Sequence, residues 1–321
     1  NSQGKNQPDG ILYGEKPFLI QKFHSADEQV SFDIVQDHDN NEGFHASQVN
    51  CSCPSLLWDG LGRWVDRAWE PYLKGKRESL ETRQLNRRFQ KRTNHKGTLV
   101  IFGDSVANQF HGSLTSGPYK DLCTHVFTSC KIVYNWVYNM RGYWGDGVTS
   151  PREPLPDGKD YDPTRVLDDV REVLYDPTMD ENSVLLLNWG IHFAAVVSFQ
   201  TYRNLIQDFI HIIKHGEIDP KTGRFRKFKG KLIWKTTTAI NRHRFPNPHK
   251  DVRRFLTFSR ILLFNAFATS AMCQAGIDVI DVYPISDAYP QGTASMSDPV
   301  HYSRNVFREV ERLLLDTTRV E

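Results

Sequence analysis

Among the 321 residues, one serine and one Asp-x-x-His segment have the types and settings that acyl chemistry requires. Ser105 follows the apolar run Leu99-Val100-Ile101-Phe102 and the pair Gly103-Asp104, and Val106 to Leu114 reads as the start of a helix. A short run of β-branched and aromatic residues reads as a buried strand. A serine on the turn between that strand and that helix stands at the rim of an α/β sheet, beside the unpaired N–H groups of a helix N-terminus. Such donors stabilise an oxyanion. The same serine serves equally well as a helix cap, so this stretch alone supports both readings.

The second segment is Ser297-Asp298-Pro299-Val300-His301-Tyr302. A tight turn through Pro299 folds the carboxylate back onto the imidazole, which would hold Nδ1–H and leave Nε2 open to a serine proton. By itself the segment is also consistent with a turn aspartate and a surface histidine. A serine early in the chain with Asp-x-x-His late gives a full set: Ser105 as nucleophile, His301 as base and Asp298 as orienting carboxylate.

At these residues the chain resembles the SGNH (GDSL-like) hydrolases, and within them the PC-esterase group of trichome-birefringence-like, sialate O-acetyltransferase and neurexophilin/PC-esterase proteins. Gly103-Asp104-Ser105 matches the nucleophile block and Asp298-Pro299-Val300-His301 the D-x-x-H block. Weaker echoes are Leu187-Asn188-Trp189-Gly190-Ile191-His192 and Gly62-Arg63-Trp64-Val65. The resemblance spans most of residues 60 to 315. It implies serine-dependent acyl-ester chemistry, with O-acetyl transfer to a carbohydrate hydroxyl, or removal from one, as the activity. It also implies an oxyanion hole built from Ser105 N–H, Asn188 and a glycine N–H. The block that normally supplies that glycine has no clean counterpart, and Gly142 is the nearest candidate. His192, Trp189 and Arg141 are the candidates for substrate contact. Packing is the alternative for His192, and bonding to neighbouring loop backbone is the alternative for Asn188. A solvated loop is the alternative for Arg141 and for the Asn241-Arg242-His243-Arg244 run. Asp104 reads as structural, bonding the turn that presents Ser105. The mechanism requires neither a metal nor an organic cofactor; its partners are an acyl donor and a carbohydrate acceptor. The competing class is a non-catalytic glycan- or protein-binding module on the same scaffold.

Positioning these residues requires a sheet. From residue 97 the pattern alternates strand and helix, the signature of a parallel sheet covered on both faces. Strands are expected at Leu99–Phe102, Lys131–Trp136, Val184–Asn188, Lys231–Lys235 and Val279–Val282. Helices are expected at Val106–Leu114, Thr164–Tyr175, Phe199–His215, Val252–Ala275 and Ser303–Asp316. The fold class is therefore α/β, a three-layer αβα sandwich with a central, mostly parallel five-stranded sheet in flavodoxin-like order. Ligand chemistry belongs at the C-terminal ends of such strands, where Ser105, Asn188 and the 236–244 loop lie. Residues 97–321 form the catalytic domain in this reading, with a 142–163 loop as a candidate lid. Residues 1–96 form an irregular, aromatic-rich N-terminal subdomain packing on the core, with short strands around 18–23 and 30–35. The aromatics Trp58, Trp64, Trp69 and Tyr72 read as core rather than a sugar-binding face.

Aromatics at 12% and hydrophobic residues at 39% exclude a disordered chain. A net charge of +2 implies no polyanion partner, and the basic stretch Lys74 to Lys96 reads as a solvated helix rather than a nucleic-acid patch. No apolar run approaches the ~20 residues of a membrane span, so no membrane contact is expected in this segment. Cys51-Ser52-Cys53 lacks the spacing and second pair of a zinc site. Cys123 and Cys130 could bridge a loop, and Cys51 or Cys53 could reach Cys273. With the sequon Asn50-Cys51-Ser52, these cysteines favour the secretory pathway, in the Golgi or ER lumen or outside the cell, either free or as the lumenal part of a membrane-anchored protein.

Overall fold

The computed structural model describes residues 56–58, 62–65, 68–71, 97–134 and 163–318, with 119, 121, 220–221, 245–254 and 295–297 excepted. All of them belong to one compact unit, Ser55–Glu321. The expected strands at 18–23 and 30–35, the helix over 74–96, Cys51 and Cys53, and the 142–163 loop with Arg141 and Gly142 lie outside the described residues.

The strands are β1 (Leu56–Trp58), β2 (Gly62–Val65), β3 (Ala68–Pro71), β4 (Thr98–Gly103), β5 (Ser129–Tyr134), β6 (Val184–Leu187), β7 (Glu217–Ile218), β8 (Phe225–Arg226), β9 (Lys231–Lys235) and β10 (Asp278–Ile280). The helices are α1 (Ser105–Ser116), α2 (Pro163–Leu174), α3 (Ile191–Val196), α4 (Phe199–His215), α5 (Phe258–Gln274), α6 (Tyr283–Asp287) and α7 (Arg308–Thr318).

The five expected strands form one parallel sheet in the order β10-β9-β6-β4-β5. Every residue of β4 and β6 is buried, which is why both read as unbroken apolar runs rather than alternating ones. The sheet order steps one way from β4 to β5 and then the other way through β6, β9 and β10. Right-handed crossovers therefore put α1 on one face and α2, α4 and α5 on the other. The observed packing agrees: α1 lies on β4 and β5, α5 lies on β10, and α4 touches both α2 and α5. This is a three-layer α/β fold of flavodoxin-like order.

The sequence reading gave Leu56–Trp58 no place in the main sheet. It extends the sheet as a sixth strand, parallel to β10. The hairpin of β2 and β3 stands beside it, and Trp64 Nε1 donates to Ile285 O at 2.9 Å. Trp64 also meets the rings of Trp69 and Tyr289 edge-on, and Trp69 is buried, so these two tryptophans are core as expected. The helix expected to begin at Ser303 instead starts with a 3-10 turn over Arg304–Phe307 before α7.

Cys123 and Cys130 are bridged, seven residues apart, pinning the start of β5 to the turn before it. Cys273 is also disulfide-bonded. Closing so short a loop removes chain entropy worth about 2.5 kcal/mol. Replacing both Cys123 and Cys130 by alanine is expected to cost about that much in urea denaturation, with the far-UV spectrum unchanged.

Candidate active site

Helix α1 starts at Ser105 because Asp104 caps it: Asp104 Oδ1 accepts from Val106 N at 3.0 Å. The capping duty that Ser105 might have performed is thus discharged by its neighbour, and the serine hydroxyl is left for other partners. Gly103 is needed at the strand end. A Cβ there would lie 2.8 Å from Ala107 Cβ and 3.2 Å from Asn188 O, so the turn passes too close to β6 for any side chain.

Asp298 organises the second segment. Its Oδ1 accepts from the backbone N of Val300 and of His301, each at 3.0 Å, and its Oδ2 receives His301 Nδ1–H at 2.8 Å. With Nδ1 protonated, Nε2 accepts from the hydroxyl of Ser105 at 2.7 Å, across a separation of 196 residues. Burial pushes the Asp298 carboxyl up, but the two backbone donors and the imidazole outweigh it and hold it below the ordinary carboxylate range.

Three neighbours brace this segment. Gln109, one turn beyond Ser105 on α1, donates Nε2 to Tyr302 O at 2.5 Å. Asn241 N donates to Pro299 O at 2.7 Å, and Tyr302 OH donates to Ala239 O at 3.0 Å. The Arg244 guanidinium donates to Thr293 O and, at 3.0 Å, to Thr293 Oγ1, while Arg242 Nη1 reaches Leu256 O at 2.7 Å. Asn241 thus braces the histidine segment directly, while Arg244 and Arg242 are tied to Thr293 and Leu256 beside it.

Two expected site residues take other work. Asn188 Nδ2 donates to Lys235 O at 2.8 Å and to Thr237 Oγ1 at 3.2 Å, so its amide is tied to the loop after β9, the alternative the sequence offered beside oxyanion binding. Its desolvation cost at 4% exposure is what those bonds offset. Gly190 is glycine because a Cβ would stand 2.3 Å from Asn188 Oδ1. Trp189, expected at the substrate, is 1% exposed and packs among the rings of Phe193, Phe209 and Trp234. His192 is partly buried near both Asp104 and His301. Burial pushes its imidazole down, with Asp104 opposing and His301 adding to the effect, which keeps it neutral. Ser105 N–H, in the first turn of α1, has no intrahelical acceptor.

Sequence reading missed the polar layer beneath the serine. Lys235 ends β9 almost wholly buried, with Nζ donating to Thr236 O at 3.2 Å. Asp104 Oδ2 is buried with no hydrogen-bond partner among the described residues. Asn265 on α5 clamps Thr237, accepting from its N and donating to its O, both at 2.9 Å. A lysine closing the run Lys231-Leu232-Ile233-Trp234-Lys235 resembles any strand end, so nothing in the sequence marks it as buried.

No protein-family model and no curated protein matches the chain. Solved structures similar to it include a lipase/acylhydrolase from Enterococcus faecalis (14% identity, 68% of this chain and 93% of that one, TM-score 0.40). A lipopolysaccharide acetyltransferase periplasmic domain from Salmonella ser. Paratyphi A gives 13% identity over 73% of this chain and 88% of that one, TM-score 0.40. Est24, a carbohydrate acetylesterase from Sinorhizobium meliloti, gives 11% identity over 68% and 99%, TM-score 0.38.

Burial pushes the Lys235 ammonium down to about 8, against the opposing pull of Asp104, from an ordinary value of 10.5. Between those values the unfolded chain binds the extra proton, so stability rises with pH there. Lys235→Met should flatten that rise. Urea denaturation of both proteins across the window measures it, and parallel curves would show that the amine is not desolvated.

Proposed function

We propose that this chain performs serine-dependent acyl-ester chemistry through Ser105, His301 and Asp298, with an acetyl group as the acyl moiety and a carbohydrate hydroxyl as its acceptor or source. The observation that carries the proposal is the hydroxyl–imidazole–carboxylate relay, closed at 2.7 and 2.8 Å between segments far apart in sequence. The carbohydrate half rests on the resemblance of the two end blocks to the PC-esterase group.

In this reading Ser105 Oγ attacks the ester carbonyl carbon as its proton passes to His301 Nε2. Asp298 fixes the tautomer and stabilises the imidazolium. The oxyanion is met by Ser105 N–H, with Gly142 N–H as the second donor; each such donor is worth roughly 3 kcal/mol of barrier. Collapse expels the alcohol, which takes the proton back from His301, and leaves an acyl-serine. Water or a sugar hydroxyl, deprotonated by the same imidazole, then attacks and regenerates the hydroxyl. His192 and Arg141 are assigned to substrate contact. Burial disfavours the charged form of His192, so its contribution is a hydrogen bond rather than a charge. The Cys123–Cys130 bridge supports an oxidising, secretory setting.

A fluorophosphonate probe should label the wild-type chain at Ser105 and leave Ser105→Ala unlabelled; a wild type that does not label overturns the proposal. Asp298→Asn should lower kcat on p-nitrophenyl acetate by about 10⁴ with the melting curve unchanged, since the wrong tautomer is then presented to the serine. Adding oligosaccharide acceptors to that assay separates transfer from hydrolysis: acetylated sugar marks transfer, and free acetate at an unchanged rate marks hydrolysis.

A further inference from the structure

At the end of the sheet away from Ser105, the hairpin of β7 and β8 is built inside out. Its register pairs Glu217 with Arg226 and Ile218 with Phe225, so each pair shares one face. The polar pair turns inward. Glu217 accepts from Arg171 Nε at 2.8 and 3.0 Å, and Arg226 pairs with Asp219 while its guanidinium lies over the Tyr175 ring. The apolar pair turns outward, with Ile218 68% and Phe225 64% exposed. A hairpin meant only for water puts these the other way round.

The chain segment that carries Phe225 is cationic. Residues 222–229 read Thr-Gly-Arg-Phe-Arg-Lys-Phe-Lys, without an acid. Arg224, Lys227 and Lys229 are exposed, Phe228 between the lysines is buried, and Lys214 is exposed at the end of α4 just before the hairpin. The hairpin's own acids, Glu217 and Asp219, are neutralised by Arg171 and Arg226, so the outward charge is uncompensated by them.

We infer that the β7–β8 hairpin is a docking surface for an anionic lipid bilayer. Phe225 and Ile218 enter the headgroup–acyl boundary while Arg224, Lys227, Lys229 and Lys214 meet lipid phosphates and carboxylates. Exposed apolar side chains ringed by cations match both layers of such an interface, whereas a soluble polyanion would use the cations and leave the apolar pair in water. The orientation follows from the fold. The hairpin leads into Lys231 at the start of β9, and Ser105 lies beyond the other ends of the strands, so docking leaves the mouth of the candidate site facing away from the bilayer. Sequence reading looked for a spanning segment, and among the described residues no helix is long and apolar enough to cross a membrane. A surface contact of this kind leaves no such signal.

The test is co-sedimentation of the full chain with vesicles of phosphatidylcholine containing phosphatidylserine, and with vesicles of phosphatidylcholine alone. The chain should bind the anionic vesicles, bind the neutral ones weakly, and be released by raised salt. Ile218→Ser with Phe225→Ser, and separately Lys227→Glu with Lys229→Glu, should each lower partitioning at least about tenfold. Both double variants should keep the wild-type melting temperature and p-nitrophenyl acetate rate. Failure of the wild type to bind anionic vesicles overturns the inference, as does binding that neither double variant weakens. Retention on heparin through the two lysines, without vesicle binding, would replace it with an anionic-glycan surface.

Discussion

A carboxyl group buried at the mouth of an apolar parallel sheet costs desolvation that hydrogen bonds offset, and Asp104 is buried there with one of its two oxygens paired. Its first oxygen finds the backbone of α1, which starts the helix at Ser105 and relieves the serine of capping. Its charge is felt by Lys235 and His192, the other two titratable groups sunk near the same rim. Much of the local architecture follows from keeping this layer satisfied. Asn188 bridges the ends of β6 and β9, Asn265 grips the loop that follows, and Gly103 and Gly190 give up side chains so the backbone can close around the amide.

What the sequence revealed and what it hid divide along physical lines. Buried parallel strands must be apolar on both faces, so β4, β6 and β9 stand out as runs, and their order follows from the alternation with helices. Gly103-Asp104-Ser105 and Asp298-Pro299-Val300-His301 were legible because each function there is local: a turn, a cap, a carboxylate three residues from its imidazole. The contacts of Asn188 and Trp189 were hidden for the opposite reason. Their partners, Lys235 O, Thr237 Oγ1 and the rings of Phe209 and Trp234, are distant in sequence, and only the folded chain brings them together. The two-residue strands β7 and β8 are too short for any periodicity to register, and Leu56–Trp58 carries no mark of the edge it joins.

The histidine loop shows how little of the site's order comes from Ser105, His301 and Asp298 themselves. Pro299 O, Tyr302 O and Thr293 are held by Asn241, Gln109 and Arg244, from the loop after β9 and from α1, and Tyr302 OH in turn donates to Ala239 O in that loop. The imidazole is therefore presented by a frame fixed on two sides, and its angle toward Ser105 depends on residues whose own chemistry is inert.

The relay joins positions 196 residues apart, and that spacing has a temporal meaning. On a chain made from its N-terminus, the hydroxyl, its helix and the neighbouring strands emerge well before the imidazole that would activate it. Any nascent or clipped form ending short of Asp298 carries an ordinary alcohol. The contact between Ser105 and His301 therefore forms only after the Asp298-Pro299-Val300-His301 segment has been made and has folded against α1.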